Sequence, residues 1–215
     1  MTVSGGVLLE ALGAEASRLH PMLRAQMSSS GERQEARGVF TLAGSRFRRL
    51  NLLGVPIVGR DALVSRYERD VPFVLVTATR RDERGRAALD TVREFGFRGD
   101  AQLIADRLVA STHPGLVRDV LGRAGRIELI LRCEVAEHGA LRMVSERAAV
   151  RVAGRRIALR GLLRLDVRVE DGWDAVEQRR TIRMRARNPL AGTVLEYRGW
   201  YRTVSLGADD AVQKV

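Results

Sequence analysis

Residues 126–136 read Arg-Ile-Glu-Leu-Ile-Leu-Arg-Cys-Glu-Val-Ala. Ile127, Leu129, Leu131, Cys133 and Val135 fall at every second position, with Glu128, Arg132 and Glu134 between them. A period of two belongs to a strand with one apolar face and one wet face. His138-Gly139 turns the chain, and residues 141–152 run back. The stretch therefore predicts an antiparallel hairpin that covers a core with one side.

The same device recurs in both directions. Ala153-Gly154 turns the chain again, and residues 162–169 alternate Leu163, Leu165, Val167 and Val169 against Arg164, Asp166 and Arg168. Asp171-Gly172 suits the left-handed positions of a type I′ hairpin turn. Residues 178–187 set Ile182, Met184 and Ala186 against Thr181, Arg183, Arg185 and Arg187. Asn188 to Gly192 forms a turn before a last strand over 193–204. Towards the N-terminus, Gly38 to Leu42 opens a short strand, and residues 45–53 predict a helical turn that Gly54-Val55-Pro56 ends. Residues 58–68 and 72–80 are extended, and the polar reversal Arg81 to Arg86 leads into a return strand over 87–97. Residues 113–124 read as a short helix near 114–123 that interrupts the strands.

About nine or ten strands joined by short turns must be antiparallel neighbours, and a sheet of that size curls, closes or splits. Leu8, Leu12, Ala16, Leu19, Leu23 and Met27 recur at three- and four-residue steps, which predicts one amphipathic helix over residues 6–27. The expected fold is α+β and mostly antiparallel β: a strongly curved or closed, barrel-like sheet packed with a long N-terminal helix. The chain is expected to be a single domain over 1–215, with a flexible loop at 28–35, the sheet over 36–204 and a flexible tail at 205–215.

The 215 residues suffice for a full core. Lysine plus arginine number 37 against 26 acids, a net charge of +11. Lys214 is the one lysine, and such use of arginine beside much Ala, Gly and Val marks a GC-rich coding sequence. The charge thus reflects function only in part. No stretch approaches the roughly 20 apolar residues of a membrane span. The N-terminus lacks a basic start and Glu10 interrupts its apolar run, so no secretory leader is expected. Cys133 stands alone, which excludes an internal disulfide and cysteine-based zinc motifs. His20, His113 and His138 lie far apart without metal-ligand spacing. The expectation is a cytoplasmic protein with no metal.

Several segments in order carry a family resemblance: Leu19-His20-Pro21, Gly38-Val39-Phe40, Asp70-Val71-Pro72-Phe73, Arg84-Gly85-Arg86, Arg93-Glu94-Phe95, Asp171-Gly172-Trp173, and Asn188 to Gly192 leading into Leu195-Glu196-Tyr197-Arg198-Gly199-Trp200. Over about residues 10–203 the chain resembles a bacterial family classed as a domain of unknown function. Its recognisable signature is the terminal Tyr-Arg-Gly-aromatic. That family also occurs fused behind a saccharopine-dehydrogenase-like nucleotide-binding part. The resemblance brings no activity with it. It implies a stand-alone version here, with a reductase-type protein as the partner to expect. No Gly-x-Gly-x-x-Gly follows a strand, so no intrinsic dinucleotide site and no cofactor are expected.

Candidate residues each have a bland reading beside the functional one. His20 before Pro21 reads first as a histidine on the last carbonyls of a helix. His113, beside the 114–123 helix, is the weak candidate for a general base if that helix forms a lid. His138 belongs to an exposed turn. Cys133 reads as a buried small hydrophobe rather than a nucleophile. No Gly-x-Ser-x-Gly elbow and no matched carboxylate pair stands out. From 140 to 202 there are 15 arginines against 7 acids. Arg179, Arg183, Arg185 and Arg187, with Arg164 and Arg168 one strand earlier, form either a solvated sheet face or an anion site. The strands lack the exposed aromatic run of RNA-reading sheets, so nucleic acid is not the expected partner. Tyr197 and Tyr201 share one face of the last strand, and Arg198 and Trp200 the other.

Two functions from different classes fit. One is a binding module for a lipophilic or amphipathic small molecule in an apolar cavity, lined mainly by aliphatic groups. Arg164, Arg183, Arg185 and Arg198 at its rim would hold an acidic end, and Tyr197 and Trp200 would lend polar tips. The other is an enzyme of cyclase or isomerase type using the same cavity. A basic adaptor for an acidic partner or RNA is a third.

Overall fold

The structure is a computed structural model that describes residues 6–28, 33–47, 56, 59–82 and 84–204. Two short helices, α1 (Val7–Leu12) and α2 (Pro21–Ser28), precede twelve strands. These are β1 (Gln34–Gly44), β2 (Tyr67–Glu68), β3 (Val71–Arg81), β4 (Ala87–Phe97), β5 (Asp100–Ala110) and β6 (Leu116–Leu121). They continue as β7 (Ile127–Val135), β8 (Leu141–Val152), β9 (Arg155–Ala158), β10 (Asp166–Asp174), β11 (Arg179–Asn188) and β12 (Gly192–Val204).

Ten of the strands close into an antiparallel barrel in the order β1-β3-β4-β5-β6-β7-β8-β10-β11-β12, and β12 pairs back to β1. β2 and β9 lie off this ring, on β1 and β8 respectively. β8 forks. Its first residues, Leu141 to Val144, pair with β10, and its last, Ala149 to Val152, pair with β9. Ser145 fills the fork: its hydroxyl accepts the Val167 N–H at 2.7 Å and donates to Leu165 O at 3.1 Å. Closure removes the free edges that an open sheet would expose.

The seam between β1 and β12 explains two glycines. Gly38 stands opposite Tyr201, and Gly199 opposite Phe40. A Cβ at Gly38 would lie 2.0 Å from Trp200 O, and one at Gly199 would lie 2.1 Å from Val39 O. The two backbones approach too closely for any side chain there. Phe40 is buried beside this seam, stacked on Phe73 at 3.7 Å between centroids and against Tyr197 at 4.8 Å. Phe95 joins them, and the cluster fills one end of the barrel.

The other end carries the helical segment. The Gly115 N–H donates to Ala11 O, and the His20 N–H to Gly139 O, each at 2.9 Å. Val7, Ala11, Leu12, Leu19, Leu23 and Met27 are buried.

Three sequence expectations are corrected. The helix over 6–27 is broken: Gly13, at φ +55°, ends α1, and a 3-10 turn (Gly13–Arg18) leads to an extended Leu19. Proline disfavours helical geometry in the residue before it, so the chain restarts at Pro21. Residues 116–121 form β6 rather than part of a helix near 114–123. Asp171 and Gly172 lie inside β10, and the hairpin turn comes later, at 175–178, where Gln178 takes φ +50°. Residues 48–53 of the helical turn expected at 45–53, residues 29–32 of the loop expected at 28–35 and the tail at 205–215 lie outside the described residues, while Ser28 belongs to α2 and Gln34 and Glu35 to β1.

Candidate functional site

The inward positions of the barrel strands are mostly aliphatic, and they leave a cavity of about 180 Å³ between the helical segment and Tyr197. Leu75, Leu89, Leu108, Leu129, Val169 and Ile182 supply apolar wall. Val7, Gln26 and Met27 border it from α1 and α2, and Gln34 and Thr203 from the ends of β1 and β12.

Charged groups break this apolar lining on two sides. On one side Asp171 of β10 faces Arg180 of β11. Arg180 Nε donates to Asp171 Oδ1 at 3.1 Å and its NH2 group donates to Oδ2. Tyr201 of β12 donates its O–H to the same Oδ2 at 3.0 Å. The Arg180 guanidinium also lies over the Tyr201 ring at 5.0 Å. Burial opposes the charge on Arg180, but Asp171 outweighs it, so the guanidinium binds its proton more tightly than usual. Burial, assisted by Asp171, pushes the Tyr201 phenol far above its usual range, so it stays a donor.

On the other side Arg93 of β4 donates to Asp106 of β5. Thr91, directly across from Asp106 in register, also hydrogen-bonds it. Burial raises the Asp106 carboxyl and Arg93 works against that. Asp119 of β6 stands in register with Leu108 on one neighbour and Leu129 on the other. Its Oδ1 is enclosed and has no hydrogen-bond partner. Burial first, and the Asp106 charge second, push its carboxyl well above the ordinary range. Burial also raises the Tyr197 phenol, which feels Arg93, Asp106, Asp119 and Asp171.

Such an interior offers a weak acid, a phenol and two neutralised ion pairs inside an apolar shell. It can orient a small polar group and hold a proton.

Of the candidate ligand-binding residues named from sequence, Tyr197 alone lines this cavity, joined by Tyr201 from the same face of the last strand. Arg164, Arg183, Arg185 and Arg198 are exposed on the outer wall, not at the rim of the interior. Arg164 and Arg185 do meet in an outer cleft of about 470 Å³ with Arg168, Arg187 and Asn188. Arg164 is paired with Asp166 there at 3.0 Å, whereas Arg168 and Arg187 make no ion pair among the described residues. Trp200 is held outside between Arg179 and Arg202, at 4.6 and 5.7 Å from their guanidinium carbons.

His113 is exposed in the turn between β5 and β6 and does not line the cavity. His20 caps α2 instead of ending a helix: its Nδ1 accepts the Met22 N–H at 3.3 Å. Cys133 is buried, and burial pushes its thiol up to about 12, which removes its nucleophilic form at neutral pH. Arg93, Asp106, Asp119, Asp171, Arg180 and Tyr201 carry the interior chemistry. Besides Tyr201 on the Tyr197 face, two of them carried a signal in the strand pattern. Asp106 and Asp119 are lone acids between apolar residues at inward positions, and that is how a functional carboxylate interrupts a strand pattern.

Among the described residues no helix is long and apolar enough to cross a membrane, and no group of three or more His, Cys, Asp or Glu is placed to hold a metal ion. A family model described as a domain of unknown function, DUF4166, matches residues 19–201. No curated protein matches the chain.

Proposed function

Because the chain belongs to the DUF4166 family, whose description carries no activity, we propose a function from its own interior: the barrel binds a small amphipathic molecule. The observation that carries this is an apolar cavity of about 180 Å³ into which buried charged and phenolic groups project. A core built only for stability would fill that space, because voids cost packing energy and buried charges cost solvation. An apolar cavity of roughly 150 Å³ holds benzene, so this one suits a molecule of about six to ten non-hydrogen atoms. Its hydrocarbon part would lie against Leu75, Leu89 and Ile182, and its polar end among Arg93, Asp106, Asp119 and Tyr197. A long-chain lipid would not fit within the walls as they stand.

Catalysis of isomerase or cyclase type would use the same lining. Asp119 favours that second role, since a weakly acidic carboxyl with one oxygen left without a partner can donate and recover a proton.

Native mass spectrometry of the purified chain tests the binding function. The expected result is an added small mass that leaves on denaturation, or saturable stabilisation by probes of that size. A chain at its sequence mass that no such probe stabilises would sink the proposal.

A further inference from the structure

The pairing of charges inside the barrel decides the polarity of the ligand. The cavity lining contains six charged residues among those described: Glu35, Arg93, Asp106, Asp119, Asp171 and Arg180. Both guanidiniums are already engaged, Arg93 by Asp106 and Arg180 by Asp171. Glu35 is bound from outside by Arg37 at 2.7 Å. Asp119 is the group left over. It has Leu108 and Leu129 as its cross-strand neighbours, and its Oδ1 meets no donor. The interior therefore holds one carboxyl more than it has cations to pair with.

We infer that the cavity takes a small amphipathic amine whose N–H groups meet the Asp119 carboxyl and whose hydrocarbon part lies against Leu75, Leu89 and Ile182. This deepens the proposed function and rests on it. A carboxylate is the wrong ligand, because both arginines are already paired and its charge would enter the interior without a cation. An alcohol offers one donor and no charge. An amine offers several donors and settles the proton balance. Either the Asp119 proton passes to a neutral amine, or an ammonium enters and that proton is released to solvent. In both cases an ammonium–carboxylate pair results. The interior gains no net charge, which a dry site requires. The Asp119 carboxyl is primed for this, since burial makes it hold a proton that an incoming cation displaces.

The test uses three probes of matched chain length, hexylamine, hexan-1-ol and hexanoate, titrated calorimetrically into the full chain at neutral pH. The wild type is expected to bind hexylamine at least about tenfold more tightly than hexan-1-ol, with hexanoate weakest. Asp119→Asn keeps the shape and removes the charge. It is expected to bring hexylamine down to the alcohol's affinity while leaving hexan-1-ol within about threefold. Binding of the alcohol without any preference for the amine overturns the inference and leaves the cavity intact as a site. So does an amine preference that survives Asp119→Asn, or tightest binding by hexanoate. Failure of all three probes, the alcohol included, overturns the cavity as a binding site and this inference with it.

Discussion

Tyr201 donates its phenolic O–H to Asp171 Oδ2 at 3.0 Å, across an interior where Arg180 grips both oxygens of the same carboxylate. The three groups come from three adjacent strands, β12, β10 and β11, and pin them on the inward side. Tyr201→Phe removes one donor while Arg180 still satisfies the carboxylate. Urea unfolding should show a loss of about 1–2 kcal/mol. Asp171→Ala strands a buried guanidinium and should cost more, about 3–5 kcal/mol. Equal losses for the two variants would contradict the arrangement.

The seam glycines give a second prediction. Gly38 and Gly199 admit backbone of the partner strand into the space where their Cβ atoms would stand. Gly199→Ala should therefore force β1 and β12 apart and disturb Phe40, costing about 1–3 kcal/mol or more. Gly154→Ala, where nothing lies within 4 Å of the added carbon, isolates the conformational cost of a positive φ of 76°. Gly199→Ala should also shift the near-ultraviolet signal of the Phe40–Tyr197 cluster, and Gly154→Ala should not. A Gly199→Ala chain as stable as wild type would show that the strands have room to spare.

The barrel was legible in the sequence wherever the inward face of a strand carries no carboxylate. The alternation over 127–135 and the strands at 72–80, 87–97, 178–187 and 193–204 match β7, β3, β4, β11 and β12 closely. Misreadings gather around two interior carboxylates. Asp119 breaks the alternation of Val117 and Leu121, so β6 takes on a helical look. Asp171 before Gly172 has the chemistry of a hairpin turn but lies in mid-strand. A carboxylate facing a core violates the binary pattern, and function is the usual reason for the violation. The candidate site was mostly illegible for a related cause. Arginines are abundant on the outer wall, and sequence alone does not tell which two of them, Arg93 and Arg180, turn inwards. The broken N-terminal helix kept its apolar stripe even though its backbone changes at Gly13 and Leu19. The six-residue stripe therefore predicted burial better than it predicted helix.

On the outer wall Arg183 stands directly across from Arg198 on β11 and β12, and neither makes an ion pair among the described residues. Like charges opposite one another weaken an antiparallel pair. Arg198→Glu should accordingly stabilise the chain by about 0.2–1 kcal/mol in low salt, and the gain should shrink as salt screens it. Thermal denaturation at two ionic strengths reads both effects. A loss of stability in low salt would mean that Arg198 has a structural partner of its own.

Asp119 and Glu128 bend the pH dependence of stability in opposite directions. Burial raises the Asp119 carboxyl above its unfolded value, so the folded chain holds a proton that the unfolded chain has released. Stability then falls as pH rises from the ordinary carboxylate range, about 4, towards the Asp119 midpoint. Asp106, also raised, adds to that fall. Glu128 lies on the other side of β7. Burial raises its carboxyl too, but hydrogen bonds from Arg118 and Arg156 prevail and leave it lowered. Its contribution is present above the ordinary carboxylate range and is lost as pH falls through its own, lower midpoint. Asp119→Asn should gain stability over wild type progressively as pH is raised from about 4 to 8, with little difference at the acid end. Glu128→Gln should lose stability at neutral pH and converge on wild type in acid. Urea unfolding of the three chains across that range separates the two carboxyls. An Asp119→Asn difference that is flat with pH would place Asp119 in contact with water or with a cation, and the interior would then lack the weakly acidic group on which its chemistry depends.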